Sequence, residues 1–140
     1  MRSLTKTQRI ADANYLILTI SIYGRRFFYS PCFNRVARFE TTIDGKLWFR
    51  DEYTDKRIYV AYRGRWRHFS NGGTLQRIVE DLARYIRTGE RVPAGHFGPW
   101  PQYICDGDLW GYGEETMTTL RRALLPRDCV AWPVEKAEAA

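Results

Sequence analysis

The sequence predicts an α+β fold: an antiparallel β-meander of about four to five strands packed against a central helix at about residues 74–88, with a second C-terminal helix at about 114–125. Three observations carry this. Residues 35–53 alternate polar and apolar positions around an Asp44-Gly45 pair, the signature of a two-residue hairpin turn whose central residues need positive φ. Leu75, Ile78, Val79, Leu82, Tyr85 and Ile86 then recur at i, i+3, i+4, i+7, i+10 and i+11, one apolar face of a helix. Finally, 140 residues of which 44% are hydrophobic suit one ordinary folded domain.

Taken in order, residues 1–13 are polar and read as an N-terminal arm or a short helix. Residues 15–23 are rich in Ile, Leu and Tyr and read as a largely buried strand ended by Gly24. A short apolar stretch at 26–29 stops at Ser30-Pro31. The hairpin follows, with Leu47 and Phe49 on one face of its return strand and Trp48 on the other. Thr54-Asp55-Lys56 is a second turn. A strand at 57–63 places Ile58, Val60 and Tyr62 on one face, and Arg63-Gly64 turns into a last short strand at 65–69.

The helix at 74–88 has Asn71 or Thr74 to cap its start, Gly89 at its C′ position, and Glu80 and Arg84 paired at i, i+4. Residues 89–113 form a long connection carrying Pro93, Pro99 and Pro101, and so long an irregular segment is often functional. Met117, Leu120 and Leu124 mark the second helix, which Pro126 stops. The sequence reads as a single domain over 1–140, with 133–140 a frayed tail.

The formal net charge is +6, carried by 18 arginines and only 4 lysines. Arginine offers a planar fork that pairs with phosphate or carboxylate and stacks on rings. A GC-rich genome would also favour arginine codons, and both readings stand. The charge is polarised along the chain. Residues 1–100 hold 18 basic and 9 acidic residues, a net +9, whereas residues 101–140 hold 4 and 7, a net −3. Acidic partners are therefore expected for the first hundred residues. Cys32, Cys105 and Cys129 are widely spaced and lack a C-x-x-C pair, which fits a reducing compartment. The apolar run at 15–22 is too short to span a bilayer, and no signal-peptide cleavage site follows it. The expectation is a cytoplasmic protein of the host cell that does not engage a membrane.

The foremost binding candidate is the segment around the third turn, where Arg57, Arg63, Arg65, Trp66, Arg67 and His68 interleave cations with rings. Such a ridge contacts phosphates while its aromatics stack on bases. Arg25, Arg26 and Arg38 extend it if the sheet brings them near. The plainer reading is rings in the core and arginines solvating an outer face. A second candidate is the acidic loop of Asp106, Asp108, Glu114 and Glu115. It falls short of a calcium-binding loop, and the two glutamates fit the first turn of a helix. The Ser70–Thr74 turn lacks the Lys-Ser/Thr of a phosphate loop and reads as a helix cap. Neither His68 nor His96 has a local nucleophile or metal partner, although His68 with Asp106 or Asp108 would make an acid–base pair if the fold joined them.

Residues 68–89, followed by Trp110-Gly111-Tyr112-Gly113-Glu114, resemble small accessory proteins encoded by phages and mobile elements of Gram-negative bacteria. The resemblance covers the C-terminal half and carries no catalytic residues with it. It implies a role among phage accessory functions, which include inhibitors of host defence such as anti-CRISPR proteins. Many of those inhibitors are acidic nucleic-acid mimics, and this chain departs from them in being basic.

The combined expectation is a non-enzymatic binding protein without a resident cofactor or metal. It would act on nucleic acid, or on an acidic face of a nucleic-acid-processing complex, through its Arg/aromatic surface. The alternatives are a small metal-dependent nuclease or toxin using His68 and the Asp106/Asp108 loop, and a phage structural or assembly subunit docking through residues 89–113.

Overall fold

Helix α1 (Lys6–Ile22) runs through the middle of the structure. The structure is a computed structural model that describes residues 4–23, 27–60, 69, 73–97 and 114–132. Residues 6–23, expected as an arm or short helix followed by a strand, are therefore one helix and its C-cap. The local chemistry explains this. Thr5 Oγ1 accepts from the Gln8 backbone N–H (3.1 Å), and Gln8 Oε1 accepts from the Thr5 N–H (2.8 Å), a reciprocal capping box. Ala13, Leu16, Ile17 and Ile20, at i, i+3, i+4 and i+7, are completely buried. Tyr15, Leu18 and Ile22 point outward and are also apolar. The run is therefore apolar on every side, and its helical period is hidden in the sequence.

Among the described residues the β structure is divided among three small sheets. Strands β1 (Tyr29–Ser30) and β2 (Arg35–Val36) form an antiparallel pair. Strands β3 (Arg38–Thr41), β4 (Leu47–Arg50) and β5 (Arg57–Tyr59) form the antiparallel meander. Strands β6 (Val92–Pro93) and β7 (Val130–Ala131) pair in parallel. Among the described residues the meander has three strands, against the four to five expected. Of the expected strand at 57–63, β5 ends at Tyr59. Val60 is a turn residue, and residues 61–63 and all but Phe69 of the 65–69 strand lie outside the described residues.

The Asp44-Gly45 hairpin forms, with a different turn. Only Gly45 has a positive φ (83°), and its N–H donates to Thr42 O (2.8 Å) while Thr42 N–H donates to Lys46 O (3.0 Å). That pattern is a turn closed by a bulge at the glycine, one residue longer than the mirror-image two-residue turn. The second turn is set by Asp51, whose buried carboxylate accepts from the backbone N–H groups of Tyr53 and Thr54 (2.9 and 3.0 Å).

Helix α2 (Gly73–Thr88) buries Leu75, Ile78, Val79, Leu82, Tyr85 and Ile86, the full expected face. Gly89 ends it at φ 83°, with its N–H on Tyr85 O (2.7 Å). The expected Glu80–Arg84 pair is replaced. Glu80 accepts from Gln76 (3.4 Å), and Arg84 faces Asp81 (3.8 Å) and Glu90 (3.9 Å). A 3₁₀ turn (Ala94–Phe97) follows β6, and helix α3 (Glu114–Leu124) buries Met117, Leu120 and Leu124 completely.

Helix α1 packs on α2, on α3 and on strands β2 and β3, so it holds the central position expected for the 74–88 helix, while α2 packs on α1 and β6. On the sheet side, Phe39 and Phe49 meet edge to face at 5.4 Å, and Phe28 meets Phe49 at 6.2 Å. Arg9 of α1 donates from Nε to Ile86 O (2.9 Å), satisfying a carbonyl in the last turn of α2 with a positive charge.

Asn14 ties α1 to the sheet. Its Oδ1 accepts from Phe39 N–H (2.6 Å) and its Nδ2 donates to Phe39 O (3.1 Å), so the amide pairs with β3 as a neighbouring strand would. Asn14→Ala leaves both groups of Phe39 without these partners and is expected to cost about 1–3 kcal/mol in urea unfolding. Gly89→Ala is expected to cost about 1 kcal/mol in the same measurement, from φ alone, because an added Cβ meets nothing within 4 Å.

Candidate nucleic-acid interface

The meander has a buried face and an outer face, and its register decides what each displays. Phe39, Phe49 and Ile58 lie side by side on the buried face. Strand alternation then sends their neighbours outward. Arg38 pairs with Arg50, and Arg50 with Arg57, giving one arginine from each strand in a single row. Glu40, Trp48 and Tyr59 form the adjacent row in the same way.

Like charges directly opposite one another on a sheet are destabilising, so the arginine row needs a counter-charge. Glu40 supplies it. Its carboxylate lies 2.9 Å from Arg50 Nη2, 3.4 Å from Arg57 Nε and 3.7 Å from Arg38 Nη2. The hydrogen bond to Glu40 pushes the Arg50 guanidinium further above its ordinary range. Asp55 adds a second contact to Arg50 at 3.3 Å and one to Arg35 at 3.9 Å. The row still sets three guanidinium groups against one central carboxylate. The Arg38 and Arg57 side chains are 47% and 45% exposed, so both are open to a ligand.

Aromatic rings sit within this charge. Trp48 and Tyr59 lie 5.0 Å apart between centroids. Arg57 lies over Trp48 (5.9 Å) and Lys46 over Tyr59 (5.5 Å). The expected binding residues thus divide sharply. Arg38 and Arg57 share one solvent face of one sheet. Arg25, Arg26, Arg63, Arg65, Trp66, Arg67 and His68 lie outside the described residues, as do Cys105 and the Asp106/Asp108 loop. Arg50, Glu40, Trp48 and Lys46 are not legible as site residues from the sequence, whereas Tyr59 opens the expected Arg/aromatic segment. The alternation over 38–50 was the signal that could have placed Arg50 with Arg38.

Two other polar clusters were not expected. His96 Nε2 lies 2.7 Å from Asp81 Oδ2, joining the 3₁₀ turn to α2, and Arg121 Nη1 donates to Phe97 O (2.9 Å), joining it to α3. The second cluster surrounds Asp12 on α1. Its Oδ2 accepts from Cys129 N–H (2.7 Å) and Tyr85 OH (3.3 Å), and its Oδ1 faces Arg127 (3.5 Å). Burial, then the Asp12 charge, raises both the Cys129 thiol and the Tyr85 phenol well above their ordinary ranges. Cys129 is therefore held as a neutral thiol and is a poor nucleophile. Among the described residues, no group of three His, Cys, Asp or Glu side chains is placed to hold a metal ion.

These two raised groups make the fold sensitive to alkali. Both stay protonated in the native state, while in the unfolded chain they ionise from their ordinary values of 9.0 and 10.0. Their contribution is complete below about pH 9 and is lost as pH rises past it. Melting temperature is expected to fall from pH 8 to pH 10.5, and to fall less in a Tyr85→Phe variant.

Comparison with known proteins places the chain. The SPbeta prophage-derived uncharacterized protein YoqU of Bacillus subtilis (strain 168) is 28% identical over 125 residues, covering 87% of this chain and 82% of the relative. Its host is a Bacillus rather than one of the Gram-negative bacteria that the sequence resemblance pointed to. No solved structure matches the chain. The YoqU family profile matches residues 3–124, nearly the whole of the described structure, and the chain belongs to the YoqU family.

Proposed function

We propose that this chain is a non-enzymatic binding protein whose meander presents its outer face to nucleic acid. The observation that carries the reading is the in-register row of Arg38, Arg50 and Arg57 beside Trp48 and Tyr59. A face that served only solubility would have no need of forked cations around rings. Guanidinium groups pair with phosphate in bidentate fashion, and rings stack on bases of any sequence. The excess charge of the first hundred residues supports the same reading. Strand β5 leads directly into the segment that holds Arg63, Arg65 and Arg67.

Glu40 occupies the position a phosphate would take among these arginines. A ligand must therefore compete with it, and the face is tuned to moderate, salt-sensitive binding. The more specific version is an inhibitor of a host defence complex that handles nucleic acid. Its support is the prophage origin of the B. subtilis relative. Plating efficiency of a defence-sensitive phage, with and without the chain expressed, tests that version. Unchanged plating across hosts carrying such systems removes it.

The binding itself is tested by fluorescence anisotropy with labelled DNA and RNA at low salt. Arg38→Ala and Arg57→Ala are each expected to weaken binding several-fold. Glu40→Gln is expected to strengthen it, because a competing carboxylate is removed. Failure of the wild-type protein to bind either nucleic acid at low salt overturns the reading.

A further inference from the structure

Beside Tyr59 lies an open pocket of about 190 Å³ that the sheet face alone does not explain. Four segments build it. Lys6 comes from the first turn of α1, Lys46 from the β3–β4 hairpin, and Arg87 from the last turn of α2, with Tyr59 of β5 forming a wall. The Asp44 carboxylate also lines it, and the Thr42 hydroxyl, which donates to Asp44, holds that carboxyl below its ordinary range. The lining thus sets three cations against one carboxylate. Lys46 is partly engaged by Asp44 (3.9 Å), and Lys6 donates to Gly45 O (3.3 Å). Among the described residues Arg87 has no hydrogen-bond or ion-pair partner, which leaves its guanidinium available to a ligand.

The pocket and the sheet face share Lys46 and Tyr59. Lys46 lies over the Tyr59 ring, and Tyr59 lies against Trp48. A ligand that fills the pocket with an anionic group therefore continues onto rings and then onto the arginine row. That sequence of contacts fits a chain alternating phosphates with flat bases. A three-stranded sheet face is also too broad to enter a duplex groove as a helix or two-stranded ribbon does, whereas splayed bases of a single strand can lie across it. Resting on the nucleic-acid reading above, we infer that this pocket seats a backbone phosphate of a single strand, held by Lys6, Lys46 and Arg87, with the next base on Tyr59 and Trp48.

The test uses a short fluorescent oligothymidylate, the matching oligouridylate and a duplex of the same length, bound by the full chain across a salt series. Lys6 and Arg87 are exposed, so the double variant Lys6→Ala/Arg87→Ala is expected to keep the wild-type circular dichroism and melting temperature. Its log–log salt slope is expected to fall by about 0.7, the value for one phosphate contact on a single strand. Arg77→Ala removes an exposed charge from the same helix at a position off the pocket and is expected to leave the slope unchanged. A wild-type slope in the double variant, with binding still weakened by Arg38→Ala and Arg57→Ala, overturns the pocket while leaving the sheet face in place. Tighter binding of the duplex than of either single strand overturns the single-strand assignment. No binding of any probe by the wild-type protein overturns the nucleic-acid reading, and the pocket with it.

Discussion

Asn14 gives its whole amide to the backbone of Phe39, and two residues earlier Asp12 gives a carboxylate oxygen to the backbone N–H of Cys129. These two side chains on α1 fix the rest of the molecule. Burying a helix against both a sheet edge and a C-terminal segment leaves backbone groups that must find partners away from water. Asn14 closes the outer edge of β3, which would otherwise offer unpaired groups to another strand. Asp12 gathers Tyr85 from α2 and Cys129 and Arg127 from the chain after α3. The apolar stripe of Ala13, Leu16, Ile17 and Ile20 supplies the non-directional part of the packing, and the two polar residues supply its register.

This anchoring has a consequence for the outer face. With Phe39 held by Asn14 and packed on Phe49, β3 cannot shift register without expelling its core ring. The positions of Arg38 and Glu40 on the solvent side are then set, and the pairing with β4 and β5 sets Arg50, Arg57, Trp48 and Tyr59. A cluster of three arginines around one carboxylate costs side-chain entropy and like-charge repulsion. The sheet tolerates it because the strands are already held from behind. The arginine-bearing outer face therefore depends on contacts made on the opposite side of the sheet.

The arrangement also separates two kinds of polar group. Asp12, Tyr85 and Cys129 are enclosed, and burial keeps the phenol and thiol neutral, so they serve cohesion. Arg38, Arg57 and Arg87 present exposed guanidinium groups. Chemistry at the first group is suppressed, and electrostatic attraction at the second is preserved.

Local chemistry was legible in the sequence. The six apolar positions of α2 and the three of α3 declare their helices, Gly89 marks the end of α2, and Asp44-Gly45 marks the hairpin. Each of these depends on residues within a turn or two of one another. Residues 15–23 look like a strand in sequence because apolar residues on the exposed side of α1 erase the helical period, and the Thr5/Gln8 box is the local mark of the helix. Of the candidate binding residues, Arg38 and Arg57 are legible as arginines in strands. Their meeting at Glu40, the Asp81–His96 contact and the pocket of Lys6, Lys46 and Arg87 are not. The sequence by itself determined which segments form the two later helices and the hairpin, and that the surface would be built from arginine. Only the tertiary structure decided which arginines stand together. Periodicity and turn chemistry are written in neighbouring residues, whereas convergence of distant segments follows from how α1 is buried and how the strands pair.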